Sequence, residues 1–242
     1  MPVRFWIIAF ALAACAGPAA ATPPDMVEIR DELFGVGPGE ILVLRTVTDN
    51  LGSHVNSLSG TALVSIDAAT GAETLWPVGR HRLQPADPVI PGEKPLAILA
   101  EPLEGARDPF AILAARGAMP AVAAARLAEE AALAVELGPE GAMVRHADGA
   151  RFRLPAERLS AGLAEAAARI ATLAPSYPRV GGLSLSDLLD GVAFAPEGCT
   201  LAQPLRIRFP AELPPIQLAR VSCGTADDDV RISLLRVIPP AP

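Results

Sequence analysis

The segment before Thr22 decides which part of the chain folds and in which compartment it does so. A basic start over residues 1–4 is followed by an uncharged apolar run over residues 5–14 and by three alanines at 19–21. This three-part pattern is typical of a secretory signal cleaved after a small-residue A-x-A site. The apolar run is shorter than the roughly 20 residues that a membrane-spanning helix needs. We therefore predict an exported protein in which residues 1–21 are removed.

A second interpretation of the same segment concerns Cys15. The residues Leu-Ala-Ala-Cys at 12–15 directly follow the apolar run and resemble the lipobox of bacterial lipoproteins, in which cleavage precedes a lipidated cysteine. Two or more acyl chains give stable membrane anchoring, whereas a single chain binds only marginally. Both interpretations stay open. Cys15 is either lipidated and attaches the protein to a membrane, or it is discarded with the signal.

The other two cysteines predict a disulfide. Cys199 and Cys223 remain whichever cleavage occurs, and two cysteines in an exported chain are most simply explained by a bridge between them. A closed loop of about 25 residues would stabilise the fold by roughly 3 kcal/mol in the chain-entropy model. A metal-binding or redox pair is the alternative, but the chain has no Cys-x-x-Cys motif.

Charge and aromatic content argue against two classes of ligand. The net charge of −7 disfavours nonspecific nucleic-acid binding, which depends on Lys and Arg neutralising phosphates. Aromatic residues make up only 4% of the chain, so a carbohydrate or single-strand binding face built from stacked rings is not expected. A protein or a small molecule remains as the partner.

The pattern of apolar residues predicts strands at both ends of the chain and helices between them. Strands are expected at the N-terminal side over 41–48, 61–67 and 73–78, and at the C-terminal side over 205–209, 216–223 and 230–237. Helices are expected over 110–116, 120–137 and 155–174. The fold class is α+β, with an N-terminal β-hairpin or sheet unit, central helices, and C-terminal antiparallel strands closed by one disulfide.

The clearest of these helices starts at Pro155. Its apolar residues recur at steps of four and three, which makes a single stripe on one face: Leu159, Leu163, Ala166, Ile170 and Leu173. We expect this stripe to pack into the core.

The chain of 242 residues suits one large domain or two small ones. We divide it into the signal at 1–21 (ending at Cys15 in the lipobox interpretation), a β-rich unit at 22–84, a connector at 85–107 and an α+β unit at 108–242. Recurrent prolines mark the connector, which has one short strand near 96–100.

The only basic cluster expected on this acidic protein lies on one face of a hairpin. Residues 142–154 are predicted to turn at Asp148-Gly149, placing Met143 with Phe152 on one face. The opposite face would carry His146, Arg151 and Arg153, which makes it a candidate anion-binding site. The alternative is an ordinary solvated strand face.

No catalytic motif is present in the sequence. It lacks Gly-x-Ser-x-Gly and His-Glu-x-x-His, and His54, His81 and His146 do not have the spacing of metal ligands. Three adjacent aspartates at 227–229 are more typical of a solvated turn than of a calcium loop. We expect no cofactor and no bound metal.

Two functions are consistent with this pattern. The first is an exported protein of the bacterial cell envelope, with a non-catalytic binding or structural role. The second is a periplasmic hydrolase with dispersed catalytic residues. A pocket that holds one of the histidines against a carboxylate and a serine would favour the hydrolase, whereas an apolar groove or an open sheet edge would favour the binding protein.

Overall fold

The computed structural model describes residues 26–241, with gaps at 54, 87–91, 93, 125–131, 174–184, 190–191, 193, 196–197 and 226–228. The predicted signal, the lipobox-like residues with Cys15, and His54 therefore lie outside the described residues. So do two of the three adjacent aspartates.

The described chain is mostly β-structure. Its N-terminal strands are β1 (Val27–Gly37), β2 (Glu40–Asp49), β3 (Ser57–Asp67), β4 (Glu73–Pro85) and β5 (Leu96–Glu101). The middle of the chain forms α1 (Pro109–Ala115), β6 (Met119–Pro120), α2 (Ala121–Ala124), β7 (Ala134–Gly138), β8 (Gly141–Arg145), β9 (Arg151–Pro155), α3 (Ala156–Ala171) and α4 (Leu185–Leu189). The last strands are β10 (Cys199–Ile207), β11 (Ile216–Gly224) and β12 (Val230–Val237).

Nine strands form one large mixed sheet, in the order β10-β11-β12-β1-β2-β3-β4-β5, with β6 paired to β1. The pairing of β1 with β12 is parallel and begins at Val27 opposite Val230. The neighbouring pairs along the rest of the path are antiparallel. Strands from the first and last parts of the chain thus meet in the middle of the same sheet. The strands β7, β8 and β9 form a separate small sheet.

The helix α3 lies between the two sheets and contacts strands of both. Its predicted stripe is confirmed, because Leu159, Leu163, Ala166 and Ile170 are all buried. Burying a leucine or isoleucine side chain contributes about 1.5–3 kcal/mol, so packing against the sheets holds this helix in place. One face of α3 thereby forms part of the core, and its edge remains free to line a cavity.

The expected helix over 120–137 is wrong at its C-terminal end. Only Ala121–Ala124 is helical at the start of that range, residues 125–131 lie outside the described part, and Ala134–Gly138 forms strand β7. The residues of β7 pair in register with β8, for example Val135 with Val144. Alanine favours helices by only tenths of a kcal/mol per residue, so pairing with a neighbouring strand overrides that preference. The α+β assignment is therefore too rich in helix.

The hairpin at 142–154 turns at Asp148 and Gly149 as predicted, but its register differs from the expected one. Val144, and not Met143, lies opposite Phe152 and shares the buried face. Met143 pairs with Arg153 on the other face.

The disulfide between Cys199 and Cys223 is confirmed. The two cysteines are directly opposite each other in β10 and β11, with Cα atoms 4.2 Å apart. Among the described residues, the helices are too short or too polar to cross a lipid bilayer.

Candidate functional site

A cavity of about 400 Å³ lies between α3, the turn that connects β3 to β4, and the end of β12. The turn contributes backbone and small side chains from residues 68–72. The helix contributes charged residues at Arg158, Glu165 and Arg169, and β12 contributes Arg236.

Hydrogen bonds within the turn fix its shape. The Asp67 carboxylate accepts hydrogen bonds from the backbone amides of Ala69 and Thr70 and from the Thr70 hydroxyl. The hydrogen bonds from Thr70 contribute most to lowering the pKa of Asp67 below its ordinary value, and the bond from Ala69 adds to this effect. Gly71 follows with φ of +72°, a conformation that glycine adopts without steric penalty. The carbonyl of Thr70 is thereby held where Arg158 donates a hydrogen bond to it at 2.6 Å.

Beside the cavity, a buried ion cluster joins Arg45 to two carboxylates. Arg45 is fully buried and binds Asp31 in a bidentate manner, with N–O distances of 2.7 and 2.9 Å. The same guanidinium donates to both carboxylate oxygens of Glu73, at 2.7 and 3.1 Å. Glu73 itself lines the cavity, so this cluster forms part of its wall.

Arg236 connects this cluster to the cavity. Its Nη1 donates to Glu73 at 3.1 Å, and only 9% of its side chain is exposed. A Cβ on residue 162 would lie 2.4 Å from Arg236 Nη2, so the glycine at this position of α3 makes room for the guanidinium. Glycine inside a helix is destabilising by roughly 0.5–1 kcal/mol relative to alanine. The close approach of Arg236 gives a reason for this glycine.

Two arginines of α3 complete the charged wall. Arg169 donates to the carbonyl of Glu73 at 2.9 Å and forms an ion pair with Glu165 one turn earlier. Arg158 is exposed and donates a hydrogen bond to the Thr70 carbonyl of the turn. The cavity wall therefore carries three guanidinium groups and two carboxylates.

Burial and neighbouring charges set the protonation of the cluster. Burial alone would raise the pKa of Glu73, but the hydrogen bonds and charge of Arg45, with the charges of Arg236 and Arg169, lower it. Burial raises the pKa of Asp31 despite the opposing effect of Arg45. Burial also lowers the pKa of Arg236, and Glu73 offsets this only in part.

The rest of the cavity wall is apolar. Its side chains come from both sheets, from α3 and from the segment after β12: Ile66, Leu154, Ala166, Val237 and Pro239. A cavity of this size, with an apolar lining and a few converging polar groups, is typical of small-molecule sites.

Comparisons of this chain with protein-family models, with curated proteins and with solved structures found no match.

The three residues of the predicted anion site do not share one face. His146 is buried, is hydrogen-bonded to Gln217 at 2.6 Å, and packs edge-on against Phe152. Arg151 is exposed, and Arg153 forms an ion pair with Glu140 at 3.2 Å. Because Phe152 points to the opposite face from its two arginine neighbours, His146 is separated from them. The hypothesis that the arginine face binds an anion stays untested.

The described histidines do not form a catalytic arrangement with a carboxylate and a serine. His146 contacts Gln217, and His81 is exposed on β4. Within the described residues, no three His, Cys, Asp or Glu side chains are close enough together to hold a metal ion.

The large sheet also ends in an apolar edge strand. β5 is the last strand on its path, and Leu96, Ile98 and Leu99 are 50%, 73% and 44% exposed. Exposed edges of this kind are prone to pair with other strands. The edge has no enclosure that would select a ligand, so the cavity is the stronger candidate site.

The sequence analysis did not identify the residues of the ion cluster. The alternation of inward- and outward-facing residues along the strands nevertheless indicates that these charged residues face inward. Asp31 continues the buried phase of Val27 and Ile29 in β1. Arg45 likewise shares the buried face of β2 with Val43 and Val47. Arg236 follows Ile232 and Leu234 in β12. A charged residue at an inward position of each of three strands indicates a buried ion cluster.

Proposed function

We propose that this protein is an exported, non-catalytic binding protein of the bacterial cell envelope, and that its ligand occupies the cavity between α3 and the β3–β4 turn. The observation that carries the proposal is the mixed wall of this cavity, apolar on one part and lined by fixed guanidinium groups on the other. Such walls bury the body of a small molecule and orient it through a few polar contacts.

The chemistry of the wall supports binding over hydrolysis. Arginine stays protonated at neutral pH, so it cannot take up a proton as a general base. The carboxylate of Glu73 is already bound by Arg45 and Arg236, which leaves it poorly placed to activate water or a nucleophile. The alternative of a hydrolase with dispersed residues has no comparable support in this cavity.

Export is supported by the signal pattern and is compatible with the disulfide. Disulfides persist in oxidising compartments such as the bacterial periplasm and are rare in the cytosol. Intact-mass analysis of the mature protein from its host distinguishes the alternatives. A free amine at Thr22 indicates a soluble periplasmic protein, and a diacylated Cys15 indicates a membrane-anchored lipoprotein. A mature chain that keeps Met1 would contradict export.

The cavity itself is tested by filling it. Ala161 is exposed on α3 and lines the cavity, whereas Ala168 is exposed on the same helix outside the lining. We expect Ala161→Phe to abolish ligand-induced thermal stabilisation in a screen of small charged and neutral compounds, because the new ring occupies the site. The matched variant Ala168→Phe should respond like the wild type. Ligands whose stabilisation survives Ala161→Phe would contradict the proposed site.

A further inference from the structure

We infer that the ligand of this cavity is a small organic anion with an apolar body, and that Arg236 receives its anionic group while Arg158 and Arg169 add positive charge to the same wall. This inference rests on the proposed function, because it specifies the ligand of the same cavity.

The first support is the charge balance of the wall. Three arginines and two glutamates line the cavity, which leaves one positive charge in excess. Of the charges just behind the wall, the pair of Arg45 and Asp31 is neutral in sum, and the Asp67 carboxylate is bound by the amides and hydroxyl of its own turn. The protein as a whole carries a net charge of −7, so the local charge of the cavity wall is opposite in sign to the net charge of the protein. One bound anion would neutralise the wall.

The second support is the position of Arg236. Its Nη1 is bound to Glu73, while Nη2 lies on the Gly162 side of the cavity. Burial removes a guanidinium from water, so neighbouring anionic groups have a larger effect on its stability. Burial accordingly lowers the pKa of Arg236. An oxyanion beside Nη2 would add an acceptor and a compensating negative charge.

The third support is the rigidity of the charged wall. Arg45 holds both oxygens of Glu73, and Glu73 in turn holds Arg236 Nη1, so the position of Arg236 is fixed. Hydrogen bonds to the carbonyls of Thr70 and Glu73 hold Arg158 and Arg169 in place. Arginines with fixed positions lose less side-chain entropy on binding, and the planar guanidinium matches carboxylate and phosphate geometry.

The apolar lining defines the remainder of the ligand. Leu154, Ile66 and Val237 offer no hydrogen bonds from their side chains, so the part of the ligand that touches them should be hydrocarbon. A volume of about 400 Å³ suits an aromatic or short aliphatic acid, and a long acyl chain would not be enclosed.

The arginine face of β9 is a weaker site for the same kind of ligand. Arg151 is exposed, and Arg153 is paired with Glu140, whose side chain is 89% exposed. Charges on an open surface are screened by water and salt, and their pairs contribute little.

The test is isothermal titration calorimetry of the mature chain at low salt with matched probes. The anionic probes are benzoate, hexanoate and phenyl phosphate, and the neutral probes are benzamide and hexanamide. We expect at least one anion to bind about tenfold more tightly than its neutral counterpart, because charge-assisted hydrogen bonds are about twice as strong as neutral ones. The relative affinity of benzoate and phenyl phosphate identifies carboxylate or phosphate as the preferred group.

Two substitutions locate the binding. Arg158→Gln removes an exposed guanidinium of the wall, so the fold is retained and the preferred anion should bind at least about threefold more weakly. Gly162→Ala places a methyl group against Arg236 Nη2 and should have the same effect by displacing it. The matched control Arg151→Gln removes an exposed arginine outside the cavity and should leave the affinity unchanged.

Three results would overturn the inference, and they separate it from the proposed function. Equal affinity for benzoate and benzamide, lost in Ala161→Phe, would leave the cavity as a binding site for neutral ligands. Anion binding that is lost in Arg151→Gln and kept in Arg158→Gln and Ala161→Phe would refute both proposals and transfer the site to β9. Failure of all three anions to bind at about 10 mM, while a neutral probe binds, would refute the anion alone.

Discussion

Arg45 is a fully buried charge in the middle of the large sheet, and its role is to organise other charges. Replacing a buried ion pair by apolar residues of similar size is often neutral or stabilising, so stability alone does not explain why a chain contains one. In this protein the cluster fixes Glu73, and Glu73 in turn holds Arg236 beside the cavity. Under the proposed function, the buried charges support the binding site.

Removing the centre of the cluster should be strongly destabilising. Arg45→Met leaves Asp31 and Glu73 buried without their main partner, which we expect to lower the free energy of unfolding by about 3–5 kcal/mol. Chemical denaturation measures the change. The matched variant Arg30→Met removes an exposed arginine of β1 whose contact with Glu32 is 3.7 Å long, and it should change stability by under about 1 kcal/mol. Equal losses in the two variants would show that the cluster is not specially important.

The pH dependence of stability should report on Glu73. Because its pKa is lower in the folded protein than the ordinary value of 4.5, Glu73 stabilises the fold above pH 4.5, and this contribution is lost as the pH falls through the folded pKa. Wild type should therefore be more stable than Glu73→Gln at about pH 7, with the difference shrinking toward about pH 3. Denaturation midpoints at several pH values measure it. A difference that stays constant over this range would contradict the assignment.

At the scale of single elements, local patterns predicted much of the structure. The stripe of α3, the helix expected over 110–116 and the turn at Gly149 are signals carried by neighbouring residues, and each element is present. The failure at β7 has a different origin. Val135 and Leu137 lie in an alanine-rich segment whose local propensity favours a helix. Their backbone groups instead form hydrogen bonds with β8, a contact that local propensity does not predict.

The stripe of α3 should contribute much of the stability at this scale. Leu163→Ala removes a side chain that is fully buried between the sheets, and we expect a loss of about 2–5 kcal/mol through lost burial and the remaining cavity. The same change at Leu133, which is 74% exposed, should have little effect on the unfolding free energy. A similar response of both variants would mean that α3 does not pack as described.

The disulfide should stabilise the pairing of β10 with β11. Its cysteines are separated by 24 residues, and closing such a loop is worth about 3 kcal/mol in the chain-entropy model. For a chain of this length that corresponds to roughly 6–12 °C in melting temperature. We expect dithiothreitol to lower the melting temperature of wild type by this amount. The double variant Cys199→Ser with Cys223→Ser should melt at the lower temperature with or without the reductant, and insensitivity of wild type to reduction would contradict the bridge.

At the scale of the whole molecule, the decisive contact is the parallel pairing of β1 with β12. It brings residues about 200 positions apart in the sequence together, and the backbone amide of Leu235 donates a hydrogen bond to the Asp31 carboxylate. No local pattern predicts such a contact, so strands expected at the two ends of the chain could not be joined into one sheet from the sequence. The cavity depends on the same long-range arrangement, because its wall combines β3, α3 and β12. The individual charges could be recognised as unusual from strand phase, but their convergence could not.

A crystal structure of the mature protein with its tightest-binding anionic probe would show whether this cavity binds a small organic anion. We predict electron density for the probe between α3 and the β3–β4 turn, with its anionic oxygens within about 3 Å of the Arg236 guanidinium. Density for the probe at the arginines of β9, with the cavity unchanged, would contradict the claim.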